Sequence, residues 1–359
     1  MTSSAFRSPA PRLVSLATAA PGFDLAQEEV ARRAGEIFAP AGVVGDFQRL
    51  MPVYRNAEIA HRHSCVPIDW YTAPHGFGER NALFLDNAVI LLADAARKAL
   101  DAARLRADEI DMIVTICSSG IATPSLDARL LQQLGFRSDV QRLPIFGLGC
   151  AGGVLGLSRA AMMAKAQPQS RVLLLAVELC GLTFRFQDRS KSNIVATALF
   201  GDGAAAAIIS CRAEHAGRPL LGAGAEHTWP DSLDVMGWDV MDDGLRVVFS
   251  GNIPDLVRND LRPIVDRFCD AQGLALDDIA GYLCHPGGAK VLDALEACFD
   301  MAPGSMREAR DVLRDHGNMS SVTVLFVLQA ALEKGVKGRH LMTALGPGFT
   351  AALQLIDLP

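Results

Sequence analysis

The sequence predicts an α/β protein built from two related halves. Short apolar runs of strand length alternate with amphipathic stretches of helix length. One strand-and-turn pattern recurs in the second part of the chain. At 359 residues, 50% of them hydrophobic, the chain can bury a large core or two fused units.

The elements follow in order. Residues 84–103 space their apolar side chains as an amphipathic helix does. Asp111-Met-Ile-Val-Thr-Ile-Cys117 is expected to be a buried strand, and residues 125–134 a second helix. Arg171-Val-Leu-Leu-Leu-Ala-Val-Glu178 is expected to be another buried strand. Ala204–Ser210, after the abrupt Gly201-Asp202-Gly203, is expected to be a third. Ala107–Cys117 is echoed by Leu276–Cys284, each an acidic turn leading into an apolar run. Further on, Phe146-Gly-Leu-Gly-Cys-Ala-Gly-Gly is echoed by His316-Gly-Asn-Met-Ser-Ser, each leading into an apolar helix. Aligned on their glycines, Cys150 falls opposite Asn318. The halves are expected to be 1–215 and 216–359, with Arg212–Pro219 as a polar linker.

A net charge of −6 and a pI of about 5.8 argue against nucleic-acid binding, which needs a basic footprint. The eight cysteines sit mostly in apolar runs and read as buried free thiols of a reducing compartment. No CxxC pair occurs, so no metal site is expected. The first residues lack a signal peptide's apolar core, and no apolar run reaches the ~20 residues of a membrane span. A cytoplasmic protein without membrane insertion is expected.

Three residues carry candidate chemistry. Cys150 lies in Gly147-Leu-Gly-Cys-Ala-Gly-Gly153, where a strand-to-helix turn would offer free backbone amides and lower the thiol's pKa. A packed structural cysteine fits the same residues. Gly147, Gly149 and Gly152 also match GxGxxG, the loop of an NAD-binding oxidoreductase, though mid-chain and around a thiol. His285, in His-Pro-Gly-Gly288, follows a buried strand, where open α/β sheets bind ligands. It reads equally as a structural histidine. Asn318 precedes an apolar helix and reads as an N-cap or as a donor. Together, Cys and His make an activated nucleophile, and His and Asn can donate two hydrogen bonds to a developing enolate oxygen.

These segments resemble the type III polyketide synthases, the chalcone/stilbene synthase family. Gly147-Leu-Gly-Cys-Ala-Gly-Gly, Ala198-Leu-Phe-Gly-Asp-Gly-Ala-Ala, His285-Pro-Gly-Gly, Gly317-Asn-Met-Ser-Ser and Gly346-Pro-Gly-Phe349 carry the resemblance, in the family's order. It implies the thiolase fold, a five-layered αβαβα core, and a homodimer. It implies CoA thioesters as substrates, with no bound cofactor. Cys150 would take an acyl group from acyl-CoA. His285 and Asn318 would polarise malonyl-CoA for decarboxylative Claisen condensation. Phe200 matches one gatekeeper phenylalanine; the second falls at Val247, with Phe249 two residues away on the same strand face. Trp238, Thr183, Ser118 and Ser320 match cavity positions, and Thr123 the position that reaches a partner's cavity. Arg49, Arg55 and Lys290 are the candidate cations for the CoA phosphates. Asn56–Tyr71 resembles bacterial members, several of which accept fatty acyl starters and make alkylpyrones or alkylresorcinols. An initiation-type ketoacyl-ACP synthase shares the Cys, His and Asn and is the nearest rival, while a non-catalytic acyl-CoA-binding protein fits poorly with all three positions filled.

Overall fold

The computed structural model describes residues 10–38 and 49–359. Its strands are β1 (Arg12–Ala19), β2 (Phe23–Ala26), β3 (His61–Ser64), β4 (Met112–Cys117), β5 (Gln141–Phe146), β6 (Arg171–Leu179), β7 (Asp202–Ser210), β8 (Leu220–Thr228), β9 (Met236–Met241), β10 (Gly244–Phe249), β11 (Gly281–Cys284), β12 (Gly338–Gly346) and β13 (Thr350–Leu358). Nine of them form one sheet in the order β11-β12-β13-β8-β1-β7-β6-β4-β5.

That sheet is two similar strand sets meeting at a seam. β4 and β6 run parallel, and β7 and β1 follow antiparallel. β11 and β12 run parallel, and β13 and β8 follow antiparallel. A single β-bridge, Arg12 with Leu220, joins the two sets. The sequence echo thus lands on corresponding strands, β4 and β11. Each is preceded by a short 3-10 turn closed by its own carboxylate: Glu109 accepts from Arg106 N at 3.0 Å, and Asp278 from Ala275 N at 2.8 Å.

Alternate residues of β4 and β6 enter opposite cores, which is why both strands read as unbroken apolar runs. Ile113, Leu173, Leu175 and Val177 meet the long helix Phe77–Ala103. Met112, Val114, Ile116, Val172 and Leu174 meet the helix Gly152–Ala166. That helix also packs on β8, β12 and β13, and its neighbour Thr323–Glu333 packs on β1 and β11. Helices Arg262–Ala271 and Ala289–Cys298 close the far side of the second set. The result is helix, sheet, helix pair, sheet, helix: the expected five layers.

Two features differ from expectation. The helix ending at Ala103 begins at Phe77, because its first turns carry polar residues that break the apolar period. One of them, Arg80, is buried and donates to the carbonyls of His75, Phe184 and Asp243. Of the hairpin β9–β10, which carries Trp238, Val247 and Phe249, only the strand holding Val247 and Phe249 was expected; its partner β9 was not. All eight cysteines are free. Among the described residues, no helix is long and apolar enough to cross a membrane.

Candidate active site

Cys150, His285 and Asn318 line one cavity of about 230 Å3. Each reaches it from the end of an element. Cys150 occupies a 3-10 turn, Gly149–Ala151, between β5 and the helix Gly152–Ala166. His285 follows β11, its N–H held by Thr343 O at 2.8 Å. Asn318 lies just before the 3-10 turn Ser320–Val322 that starts the helix Thr323–Glu333.

The asparagine's orientation is fixed by its own loop. Its Oδ1 accepts from Ser320 N at 2.8 Å, and its Nδ2 donates to Gly287 O at 3.2 Å. An amide nitrogen carries two protons, so one remains for a ligand. His285 is 4% exposed, and neither ring nitrogen has a hydrogen-bond partner among the described residues. Buried polar groups are normally paired, so an unpaired imidazole on a cavity wall is poised for a ligand. Burial pushes its pKa down to about 3, keeping the ring neutral.

The thiol departs from expectation. Burial pushes the Cys150 pKa up to about 12; donors Ser320 and Asn318 oppose the rise, and the Glu178 carboxylate adds to it. Desolvation outweighs the helix end, so the resting pair is a neutral thiol and a neutral imidazole rather than a thiolate. Gly149 (φ +47°) is packed against Pro347, where an added Cβ would lie 2.5 Å from its Cδ. The glycine loop is therefore filled by protein and does not form a phosphate cradle.

The chalcone and stilbene synthase N-terminal domain model matches residues 64–213, and the C-terminal domain model residues 221–356. The chain belongs to this family. It is 37% identical to a putative chalcone synthase of Bacillus subtilis (strain 168), over 96% of this chain and 98% of that protein. It is 38% identical to a 1,3,6,8-tetrahydroxynaphthalene synthase of Streptomyces peucetius subsp. caesius, over 94% and 91%. Its structure matches the 1,3,6,8-tetrahydroxynaphthalene synthase of Streptomyces coelicolor A3(2), a bacterial type III polyketide synthase. The TM-score is 0.90, with 27% identity over 97% of this chain and 99% of that one. The protein is thus an acyltransferase of the type III polyketide synthase family.

Around the sulfur, the structure sorts the remaining candidates. Phe200, Trp238, Val247, Phe249 and Ser320 line a space of only about 30 Å3 that also reaches Cys150. The Phe200 ring meets Phe249 edge-on at 5.7 Å and Trp238 at 6.1 Å. Thr183 faces a second, narrow apolar chamber behind Phe200. Ser118 lies outside these cavity walls; its Oγ accepts from Gly149 N at 3.0 Å and shapes the turn that carries Cys150. Thr123 is exposed at the surface and away from the cavity walls. Arg49, Arg55 and Lys290 are exposed, and none lines the cavity.

Two residues escaped sequence reading. Lys191, the first residue of the helix Lys191–Leu199, is the sole cation among the described residues lining the cavity. Glu178 is fully buried and accepts from Ser118 N (3.0 Å), Ser119 Oγ (2.7 Å) and Ser321 Oγ (2.8 Å). Burial raises its pKa to about 7 against those donors. An acidic residue inside the apolar run of β6 was the available signal.

Proposed function

We propose that the enzyme loads a fatty acyl group from acyl-CoA onto Cys150, extends it with malonyl-CoA by decarboxylative condensation, and cyclises it to a pyrone or resorcinol. The observation that carries the catalytic part is the shared cavity: one thiol, one unpartnered neutral imidazole and one amide with a spare N–H. In loading, the Cys150 sulfur attacks the thioester carbonyl, His285 takes the thiol proton, and the departing CoA sulfur receives it. In extension, His285 and Asn318 donate to the malonyl thioester oxygen; loss of CO2 leaves an enolate held by both. Its carbon attacks the acyl-Cys150 carbonyl, and the cysteine sulfur leaves.

The fatty acyl reading is supported by the second chamber. Leu25, Val30, Ala34, Ile37 and Phe38 of the N-terminal region wall it on one side. Cys180, Thr183, Phe200 and Val247 wall it on the other, beside the aromatic cluster at the sulfur. Such a narrow apolar space suits an unbranched chain. Lys191, at the catalytic cavity, supplies a cation for the CoA phosphates, and Lys191→Ala raises KM for malonyl-CoA with kcat little changed. The reading also divides the chain into halves 1–215 and 216–359. Homodimerisation is supported by β5, an edge strand exposing Leu143 and Phe146, and by the exposed Ile121 after β4.

The test is incubation with malonyl-CoA and starters from acetyl- to palmitoyl-CoA, with products read by mass spectrometry. Long-chain triketide or tetraketide pyrones or resorcinols are expected, and Cys150→Ala abolishes them. A hydroxylated aromatic made from malonyl-CoA alone overturns the starter. Strict dependence on malonyl-acyl carrier protein overturns the reaction class.

A further inference from the structure

Arg62, on β3, is a buried guanidinium with no carboxylate hydrogen-bonded to it among the described residues. Its Nε–H has no partner among the described residues, and most of its Nη protons go to the end of the helix Lys191–Leu199. Nη1 donates to Thr197 O at 2.7 Å and Phe200 O at 2.9 Å; Nη2 donates to Ala198 O at 2.8 Å and to Gln27 Oε1. Gln27 Nε2 in turn donates to Ala198 O at 3.1 Å and Tyr54 O at 2.9 Å. The helix end is where carbonyls lack partners and where a cation is favoured.

Of the four carbonyls from Thr197 to Phe200, Arg62 takes three. The fourth, Leu199 O, accepts from Asn318 N at 2.8 Å. Gly201 N then donates to Asn318 O at 3.0 Å, completing a parallel bridge between Phe200 and Asn318. The two segments touch as closely as backbones can. A Cβ on Gly201 would lie 2.3 Å from His316 O, and one on Gly317 2.8 Å from Leu199 O. The Arg62 Cβ would be 3.4 Å from the first and 3.6 Å from the second, so the arginine stem covers the bridge.

We propose that Arg62 is a positioning residue for the condensation step: it fixes the helix end onto which Asn318 is hung, and so aims the Asn318 amide at the enolate oxygen. This rests on the catalytic reading above. Arg62 itself touches no reacting atom. In loading, Asn318 acts only as one of two side-chain donors that hold the Cys150 pKa down against burial, whereas in decarboxylation it is one of the two donors to the enolate oxygen itself; decarboxylation is therefore the more sensitive step, and the two steps separate a positioning role from a merely structural one. Misplacing a donor by an ångström costs roughly a hundredfold in rate.

Full-length wild type, Arg62→Lys, Asn318→Ala and the double variant are compared in two single-step assays. One reads acyl-Cys150 by intact mass after rapid mixing with acetyl-CoA, whose two-carbon group stays clear of the second chamber, which Arg62 also lines. The other reads CO2 release from malonyl-CoA. For Arg62→Lys, loading stays within about threefold, while kcat for decarboxylation falls roughly tenfold to a hundredfold with KM little changed. The double variant is no slower than Asn318→Ala, since both act through one donor. Parallel loss of both steps, or multiplicative losses in the double variant, overturns the proposal. If Arg62→Lys fails to fold, Gln27→Leu replaces it: a selective, smaller loss of decarboxylation supports the clamp, and wild-type decarboxylation overturns it. A wild-type enzyme that loads but releases no CO2 overturns the catalytic reading itself, and the proposal with it.

Discussion

Replacing Gly153 with alanine probes the seam between the two central helices. A Cβ there would sit 2.2 Å from Ser321 O and 2.6 Å from Val324 Cγ1. A carbon meets a carbonyl oxygen at about 3.3 Å or more, so the helices must part by about 1 Å. Overpacking of this kind costs about 1–3 kcal/mol, and a backbone obstacle puts it at the upper end. Alanine's better helix propensity returns up to about 1 kcal/mol. A net loss of about 2 kcal/mol should lower Tm by roughly 3 °C in a chain of 359 residues. Activity should suffer more. The displaced turn holds Ser321, which donates to Glu178, and Ser320, which lines the space at the Cys150 sulfur; Asn318 is two residues before. A shift of about 1 Å there should slow malonyl-CoA turnover roughly a hundredfold. Thermal unfolding and product formation are measured together, with Gly217→Ala as control because nothing lies within 4 Å of its Cβ. Wild-type Tm and turnover in Gly153→Ala would refute the reasoning.

Two further outcomes follow from buried groups and from the second chamber. Glu178 titrates near 7 in the folded enzyme against an unfolded value of 4.5, so the native state binds the extra proton and stability is lost as pH rises from 4.5 to 7. His285, near 3 against 6.5, does the opposite: the unfolded state binds the proton, and stability is lost as pH falls below 6.5. The stability difference between wild type and Glu178→Gln, from urea unfolding, should therefore fall by about 1.4 kcal/mol per pH unit across 4.5–7; a pH-independent difference contradicts the buried carboxylic acid. Ala196→Phe narrows the chamber behind Phe200 and should shift preference from palmitoyl- to shorter acyl-CoA, read as relative kcat/KM; an unchanged chain-length profile rules the chamber out as the acyl site.

Much of the architecture was legible because burial on both faces writes a strand as an unbroken apolar run. β4, β6 and β7 were located to within two residues for that reason. Duplication was legible because the acidic turns before β4 and β11 are local, each closed by a carboxylate three residues on. Cys150, His285 and Asn318 were legible because each is set among glycines at the end of an element, where short-range sequence records a turn.

Tertiary structure decided what depends on contacts distant in sequence. The thiol's protonation follows from desolvation by surrounding elements, which overrides the local helix end that the sequence shows. The cation at the cavity is Lys191 rather than Arg49, Arg55 or Lys290, since only the path of the helix Lys191–Leu199 brings an ammonium there. Ser118 turned out to support the Cys150 turn, through Gly149, from 31 residues away. The arginine clamp joins β3, a helix end and the asparagine loop, three segments spread from Arg62 to Asn318, and no periodicity along the chain encodes it. Sequence determined the elements and the candidate groups because backbone propensity and burial pattern are local; the fold decided their charge states and aim because electrostatics and packing act through space.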